Sequence, residues 1–226
     1  MDGRPRAARR QGARGLRLAE PSPQPRLVPF FPTQIVIESW PGFEAGGAAL
    51  RDTILARRAA DRDPSPRWRS TPDLPHWGGE AARALCDHVL RRIDGMTVDK
   101  EQRAEGRGFR WTMTGWAEVL DRHGAIDLRS HPGSSWTAIC DIDDGGGTEG
   151  GDLVFLDPRY PAVRMPIPEL RPRRRDGTPD QHEVRIAARS GAIVMFPSWL
   201  MHGVRPFDGD RPRVSIGLTF RADWIG

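Results

Sequence analysis

Lysine and tyrosine are almost missing from this 226-residue chain: Lys100 is its only lysine and Tyr160 its only tyrosine. Cysteine is scarce too. Cys86 and Cys140 are the only two, which excludes a disulfide scaffold and a four-cysteine zinc site. No apolar run approaches the roughly 18–20 residues a membrane-spanning helix needs, so a helical membrane protein is excluded. No apolar secretory core follows the early arginines, and Arg9-Arg10 leads only into polar sequence. The expectation is therefore a cytoplasmic protein with reduced thiols.

What the chain does contain is eight Trp, eight Phe, 25 Gly and 21 Pro, enough aromatic mass for a core within a turn-rich framework. The length favours one sizeable domain. The formal charge of +4 is unevenly placed. Seven arginines against Asp2 and Glu20 give residues 1–26 a charge of +5, which leaves the other 200 residues at −1. The basic character thus belongs to a tail. Its Arg, Pro, Gly and Ala without periodicity predict a disordered Arg/Pro-rich segment over 1–26. A single domain is expected over 27–226.

Within that domain the hydrophobic period changes once. Gln34–Glu38 alternates as a first strand would. Helical support is expected at about 46–95, in two helices. Leu50, Ile54 and Leu55 mark the first, over 46–61. Ala82, Leu85, Cys86, Val89, Leu90 and Ile93 fall on one face of the second, over 79–93, which Gly95 ends. Cys86 on that face reads as a core thiol. From Phe109 the period is two, with Phe109, Trp111 and Met113 alternating with polar neighbours. Strand-like runs recur at 116–120, 135–142, 152–157, 183–188, 191–196 and 212–220. Helices first, then many short strands, predict a mainly β antiparallel sandwich or jelly roll with a β core at about 109–220. An insertion at 158–181, with six prolines and Arg171-Pro172-Arg173-Arg174-Arg175, reads as a lid or a solvated loop.

Two of the six histidines stand out by context. His131 lies in Ser130-His131-Pro132-Gly133-Ser134, before a strand, and His202 follows Phe196-Pro197-Ser198-Trp199. If Phe207–Asp210 closes a hairpin, His202 pairs with Ser215 and Val204 with Arg213. Arg213 then lies diagonally about 7 Å from His202 on the same face. An anion on Arg213 could reach a metal on His202, although Arg213 could equally pair with an acidic neighbour.

Phe196-Pro197-Ser198-Trp199-x-x-His202 followed by Arg213-x-Ser215 resembles the C-terminal signature of the 2-oxoglutarate/Fe(II)-dependent oxygenases. Trp116-Ala117-x-Val119-Leu120, His131-Pro132-Gly133-Ser134 and Phe155-x-Asp157-Pro158-Arg159 extend the resemblance over about 109–220. Phe31-Pro32-Thr33 is a fainter match. The resemblance implies the double-stranded β-helix (jelly-roll) fold of the prolyl hydroxylases, with Fe(II) and 2-oxoglutarate as cofactors. It implies His131 and His202 as metal ligands and catalytic residues, Arg213 as the clamp on the distal carboxylate of 2-oxoglutarate, and Ser215 as a further donor. The activity implied is hydroxylation of a small-molecule or peptide substrate.

The chain departs from that pattern at Arg129, where relatives carry the first histidine of a His-x-His pair. A guanidinium has no lone pair to offer a metal. Three substitutes are open: an external ligand beside a His131-x-Gly133 pattern such as iron halogenases carry, Asp127 through a bulge, or Asp141 and Asp143 further along the chain. The alternative function is a jelly-roll anion-binding protein without a complete iron triad. A nucleic-acid partner gains little support, since the body of the chain is near neutral and carries no recognition motif.

Overall fold

The computed structural model describes residues 31–99, 108–146, 150–161, 167 and 169–225, so the tail expected over 1–26 lies outside the described residues. The chain divides into Met1–Phe31 and Pro32–Gly226, and every helix and strand among the described residues belongs to the second unit.

Strand β1 (Val36–Ser39) leads into α1 (Phe43–Asp61), β2 (Arg67–Arg69), α2 (Leu74–Trp77) and α3 (Gly79–Met96). Eight strands follow: β3 (Phe109–Leu120), β4 (Ile126–Arg129), β5 (Trp136–Asp143), β6 (Leu153–Leu156), β7 (Glu183–Ile186), β8 (Ala192–Pro197), β9 (Met201–Val204) and β10 (Arg213–Trp224). They form a larger sheet in the order β1-β8-β5-β10-β3-β2 and a smaller one in the order β4-β9-β6-β7. All the named strand pairs are antiparallel. From β3 to β6 the chain changes sheet at every step, the path of a double-stranded β-helix.

Alternation along β3 and β10 divides the molecule into two apolar layers. Ala117, Val119, Val214, Ile216, Leu218 and Phe220 face the helices and pack with Leu50, Ile54, Leu85, Val89 and Ile93. The opposite face joins Leu120, Val194 and Phe196 to Ile126, Leu153, Phe155 and Val204 of the smaller sheet. Cys86 and Cys140 both lie in the helix-side layer, as the helical face around Cys86 implied.

The helices and most strand runs fall where the periodicity put them, with α1 and α3 each extended by a few residues. The runs 109–114 and 116–120 are one continuous strand, because Gly115 sits in register with Leu218 without breaking the ladder. Of the insertion expected at 158–181, residues 162–166 and 168 lie outside the described residues; the described part includes an isolated bridge between Arg173 and Pro179.

The hairpin joining His202 to Ser215 is corrected. His202 on β9 pairs with Arg129 and Phe155 in the smaller sheet, whereas Ser215 on β10 pairs with Glu118 and Asp141 in the larger one. The segment Arg205–Pro212 carries the chain from one sheet to the other. Local sequence suggested a turn, but both apolar faces are buried only if the strands separate.

Candidate active site

Beside the apolar layers, His202, Glu118, Arg213, Ser215 and Asp141 are buried polar side chains, and His131 and Arg129 are half-buried. His202 is 2% exposed, and Phe196 and Phe155 wall its ring at centroid distances of 4.7 and 6.4 Å. Its Nδ1–H donates to the Leu200 carbonyl at 2.9 Å, which fixes the tautomer and leaves the lone pair on Nε2. The His131 ring lies 5.1 Å away, centroid to centroid, with Trp116 on its other side at 5.3 Å.

The Phe196–Trp199 segment is the frame for both rings. The Ser198 carbonyl accepts the His131 backbone N–H at 2.9 Å, and Ser198 N–H donates to the Ser135 carbonyl at 3.1 Å. Leu200 N–H bonds back to Pro197 at 3.0 Å, forming the turn that presents the carbonyl to His202. The buried Ser198 hydroxyl is 2.8 Å from that of Thr137. Trp199 itself is exposed.

Both imidazoles are held neutral. Burial, the neighbouring His202 and the charges of Arg129 and Arg69 lower His131 to about 4. Burial and Arg129 lower His202, against the Leu200 hydrogen bond that raises it. Nε2 of each ring is buried without a hydrogen-bond partner among the described residues. Two neutral imidazoles, each able to turn a lone pair on Nε2 to a metal, are a donor set suited to a divalent transition metal.

Arg213 is 0% exposed and enters from the larger sheet. Its Nη2 meets Asp141 Oδ1 at 2.5 Å and its Nη1 reaches Ser215 Oγ at 3.4 Å, while Nε has no partner among the described residues. The acidic neighbour is therefore present. Burial raises the Asp141 carboxyl above the ordinary range, offset in part by the Arg213 charge.

Sequence reasoning missed Glu118. It is 2% exposed and accepts hydrogen bonds from Arg67 at 2.9 and 3.2 Å, Arg129 at 2.8 Å and Trp116 Nε1 at 3.0 Å. Burial alone would raise its carboxyl, but the Arg67 and Arg129 bonds and charges outweigh burial and hold it below the ordinary value. The available signal was an acidic residue at the inward position between Trp116 and Leu120 on a strand. Arg69 lies over the Trp116 ring at 4.3 Å and completes the basic surround.

Neither of the two carboxylate substitutes joins the histidines: among the described residues no three His, Cys, Asp or Glu side chains gather around a metal position. Asp127 is exposed, Asp141 is committed to Arg213, and Asp143 Oδ1 accepts from Gly145 N–H at 2.8 Å and faces Arg51 and Arg211. Gly133, with φ of +86°, occupies the turn after His131. The residues thus fit a metal held by two imidazoles, with guanidinium N–H groups nearby for an anionic ligand. Among the described residues no third protein ligand joins them.

Comparison with known proteins bears on the fold that carries this arrangement. A family model described as "Putative 2OG-Fe(II) oxygenase" matches residues 114–219, from the middle of β3 into β10. Among solved structures, HygX from Streptomyces hygroscopicus with nickel and 2-oxoglutarate bound is similar at 16% identity and a TM-score of 0.56, covering 84% of this chain and 83% of that one. A prolyl hydroxylase from Trichoplax adhaerens, in complex with a hypoxia inducible factor peptide fragment, gives 13% identity and a TM-score of 0.55 over 83% of each chain. The non-heme alpha-ketoglutarate-dependent epimerase SnoN from nogalamycin biosynthesis gives 16% and 0.52 over 86% of this chain and 79% of that one. No curated protein matches the chain. The fold is the double-stranded β-helix of these oxygenases. The stretch matched by the family model, residues 114–219, contains His131, His202, Arg213 and Ser215, the residues that the sequence motifs singled out.

Proposed function

We propose that the protein is a 2-oxoglutarate/Fe(II)-dependent dioxygenase that hydroxylates a small-molecule or peptide substrate. The observation that carries the reading is the pair of buried Nε2 atoms of His131 and His202, unpartnered among the described residues, on rings 5.1 Å apart. His131 and His202 hold the iron; the Leu200 carbonyl orients the His202 ring and the Ser198 carbonyl holds the His131 backbone. Arg213 offers its Nε–H, unpartnered among the described residues, with the Ser215 hydroxyl near its Nη1, to the distal carboxylate of 2-oxoglutarate. Asp141 holds the guanidinium in place and reduces the cost of burying its charge. Phe155 and Phe196 pack against the His202 ring and Trp116 against the His131 ring. Bound iron supplies the redox chemistry that couples 2-oxoglutarate decarboxylation to oxygen insertion. The test is Fe(II)-dependent conversion of 2-oxoglutarate to succinate by purified protein, absent in His202→Ala.

A second reading is a metal-free anion-binding protein. It is favoured by Arg129, which sits where a metal ligand is expected and brings a positive charge to the histidines. Tight 2-oxoglutarate binding that ignores metal and survives in His202→Ala would select it.

A further inference from the structure

Arg129 is the residue that the histidine reading leaves without a task. It stands directly opposite His202 in the β4–β9 register, so the two side chains rise together from the smaller sheet. It crosses the interior to Glu118 on β3, where Nη2 meets Oε1 at 2.8 Å. Glu118 also takes a two-pronged bond from Arg67 and one from the Trp116 indole, so the anchoring carboxylate is fixed from three sides. With Nη2 anchored, the buried Nε–H of Arg129 has no partner among the described residues. The same holds for Nε2 of both histidines and Nε of Arg213.

These orphaned atoms differ in kind. The His202 imidazole presents a lone pair and His131 can present another, so the two suit a cation; the guanidinia present N–H groups and call for an anion. Neither ligand alone suits the site. A divalent metal on two neutral imidazoles gains no protein charge to neutralise it and faces the Arg129 cation, whose partner Glu118 is shared with Arg67. An anion alone would set its lone pairs against those of the imidazoles. A metal carrying an anionic chelator meets both demands at once.

We infer that Arg129 is an anion-binding residue of the site, positioned by Glu118, and that it makes metal loading depend on an anionic chelator. This inference rests on the metal site proposed for His131 and His202. Divalent metal binds weakly alone and tightly together with a 2-oxo dicarboxylate or another chelating dianion. By linkage the chelator gains the same factor from the metal.

The probes are Co(II), followed by its ligand-field absorption in a metal-buffered solution, with no addition, with oxalate and with 2-oxoglutarate. Oxalate can chelate the metal and reach Arg129 but has no distal carboxylate for Arg213. The expected result is a gain in Co(II) affinity of about tenfold or more with either dianion. In Arg129→Met, Co(II) alone binds more tightly and the gain with oxalate shrinks. Arg129→Gln, which can still donate to Glu118, gives the same pattern should Arg129→Met fail to fold. Tight Co(II) binding that is indifferent to both dianions overturns the inference and leaves the metal site standing. A gain that is unchanged in both Arg129 variants also overturns it, assigning the coupling to the metal and Arg213. Absence of Co(II) binding in every condition overturns the metal site and this inference with it.

Discussion

Arg129 and Glu118 meet across the interior of the jelly roll, one from each sheet, with Nη2 and Oε1 2.8 Å apart. The contact ties the smaller sheet to the larger one beside His202, the cross-strand partner of Arg129. Glu118 therefore has a structural part that can be measured without any ligand. Glu118→Gln leaves Arg67 and Arg129 without their carboxylate. It should lower stability by about 2 kcal/mol at pH 7, less than the roughly 3–5 of a fully enclosed pair because both arginines keep some access to water. Urea denaturation of the two proteins measures this.

The same carboxylate sets a pH dependence. Its folded pKa lies below the ordinary value of 4.5, so the stabilisation is fully present above that value and is lost as pH falls through the folded pKa. The difference between wild type and Glu118→Gln should be constant from pH 7 to about 5 and shrink below about 4.5. A difference that grows on acidification would contradict the assignment.

Arg213 and Asp141 are mutually dependent. Arg213→Ala should cost about 3–5 kcal/mol by leaving an enclosed carboxyl unpaired. Replacing both, with Arg213→Met and Asp141→Leu, should recover most of that loss without restoring 2-oxoglutarate binding. Denaturation and isothermal titration calorimetry on the same preparations separate the structural effect from the binding effect.

Gly217 lies opposite Trp116 in the β3–β10 register, and a Cβ there would collide with the indole ring. Gly217→Ala should cost about 1–3 kcal/mol through overpacking. It should also weaken metal binding, since Trp116 is the neighbour of His131 and a donor to Glu118. A variant as stable as wild type would show that the indole has room to move.

Both thiols should be inert in the folded protein. Burial pushes Cys86 up to about 12 and raises Cys140 well above the ordinary range. Modification by a disulfide reagent at neutral pH should follow global unfolding, with both thiols reacting together. Rapid reaction of one thiol in native conditions would place it outside the core.

Much of this arrangement was legible from local pattern. The α3 face and the period-two runs report burial directly, because a side chain's environment repeats with the geometry of its own element. Pairing does not. His202 and Arg213 are only eleven residues apart, yet they stand in different sheets, since a jelly roll sends successive strands to opposite layers. The strands β2, β4 and β9, three or four residues each, are too short to show an alternation. The partners of Glu118 and Arg213 lay further out of reach: Arg67 is 51 residues before Glu118, and Asp141 is 72 residues before Arg213. No spacing rule connects such pairs. The motif around Phe196–Trp199 was visible, but its role in holding His131 through the Ser198 carbonyl emerges only when β4 and β9 lie side by side.

The central claim is that His131 and His202 form a working iron site despite Arg129. Its most direct test is an anaerobic titration of the metal-free protein with Fe(II) and 2-oxoglutarate, watched for the visible charge-transfer band of a chelated 2-oxo acid. A saturable band that is lost in His131→Ala and in His202→Ala is the predicted result. Absence of the band while calorimetry still records 2-oxoglutarate binding through Arg213 would contradict it.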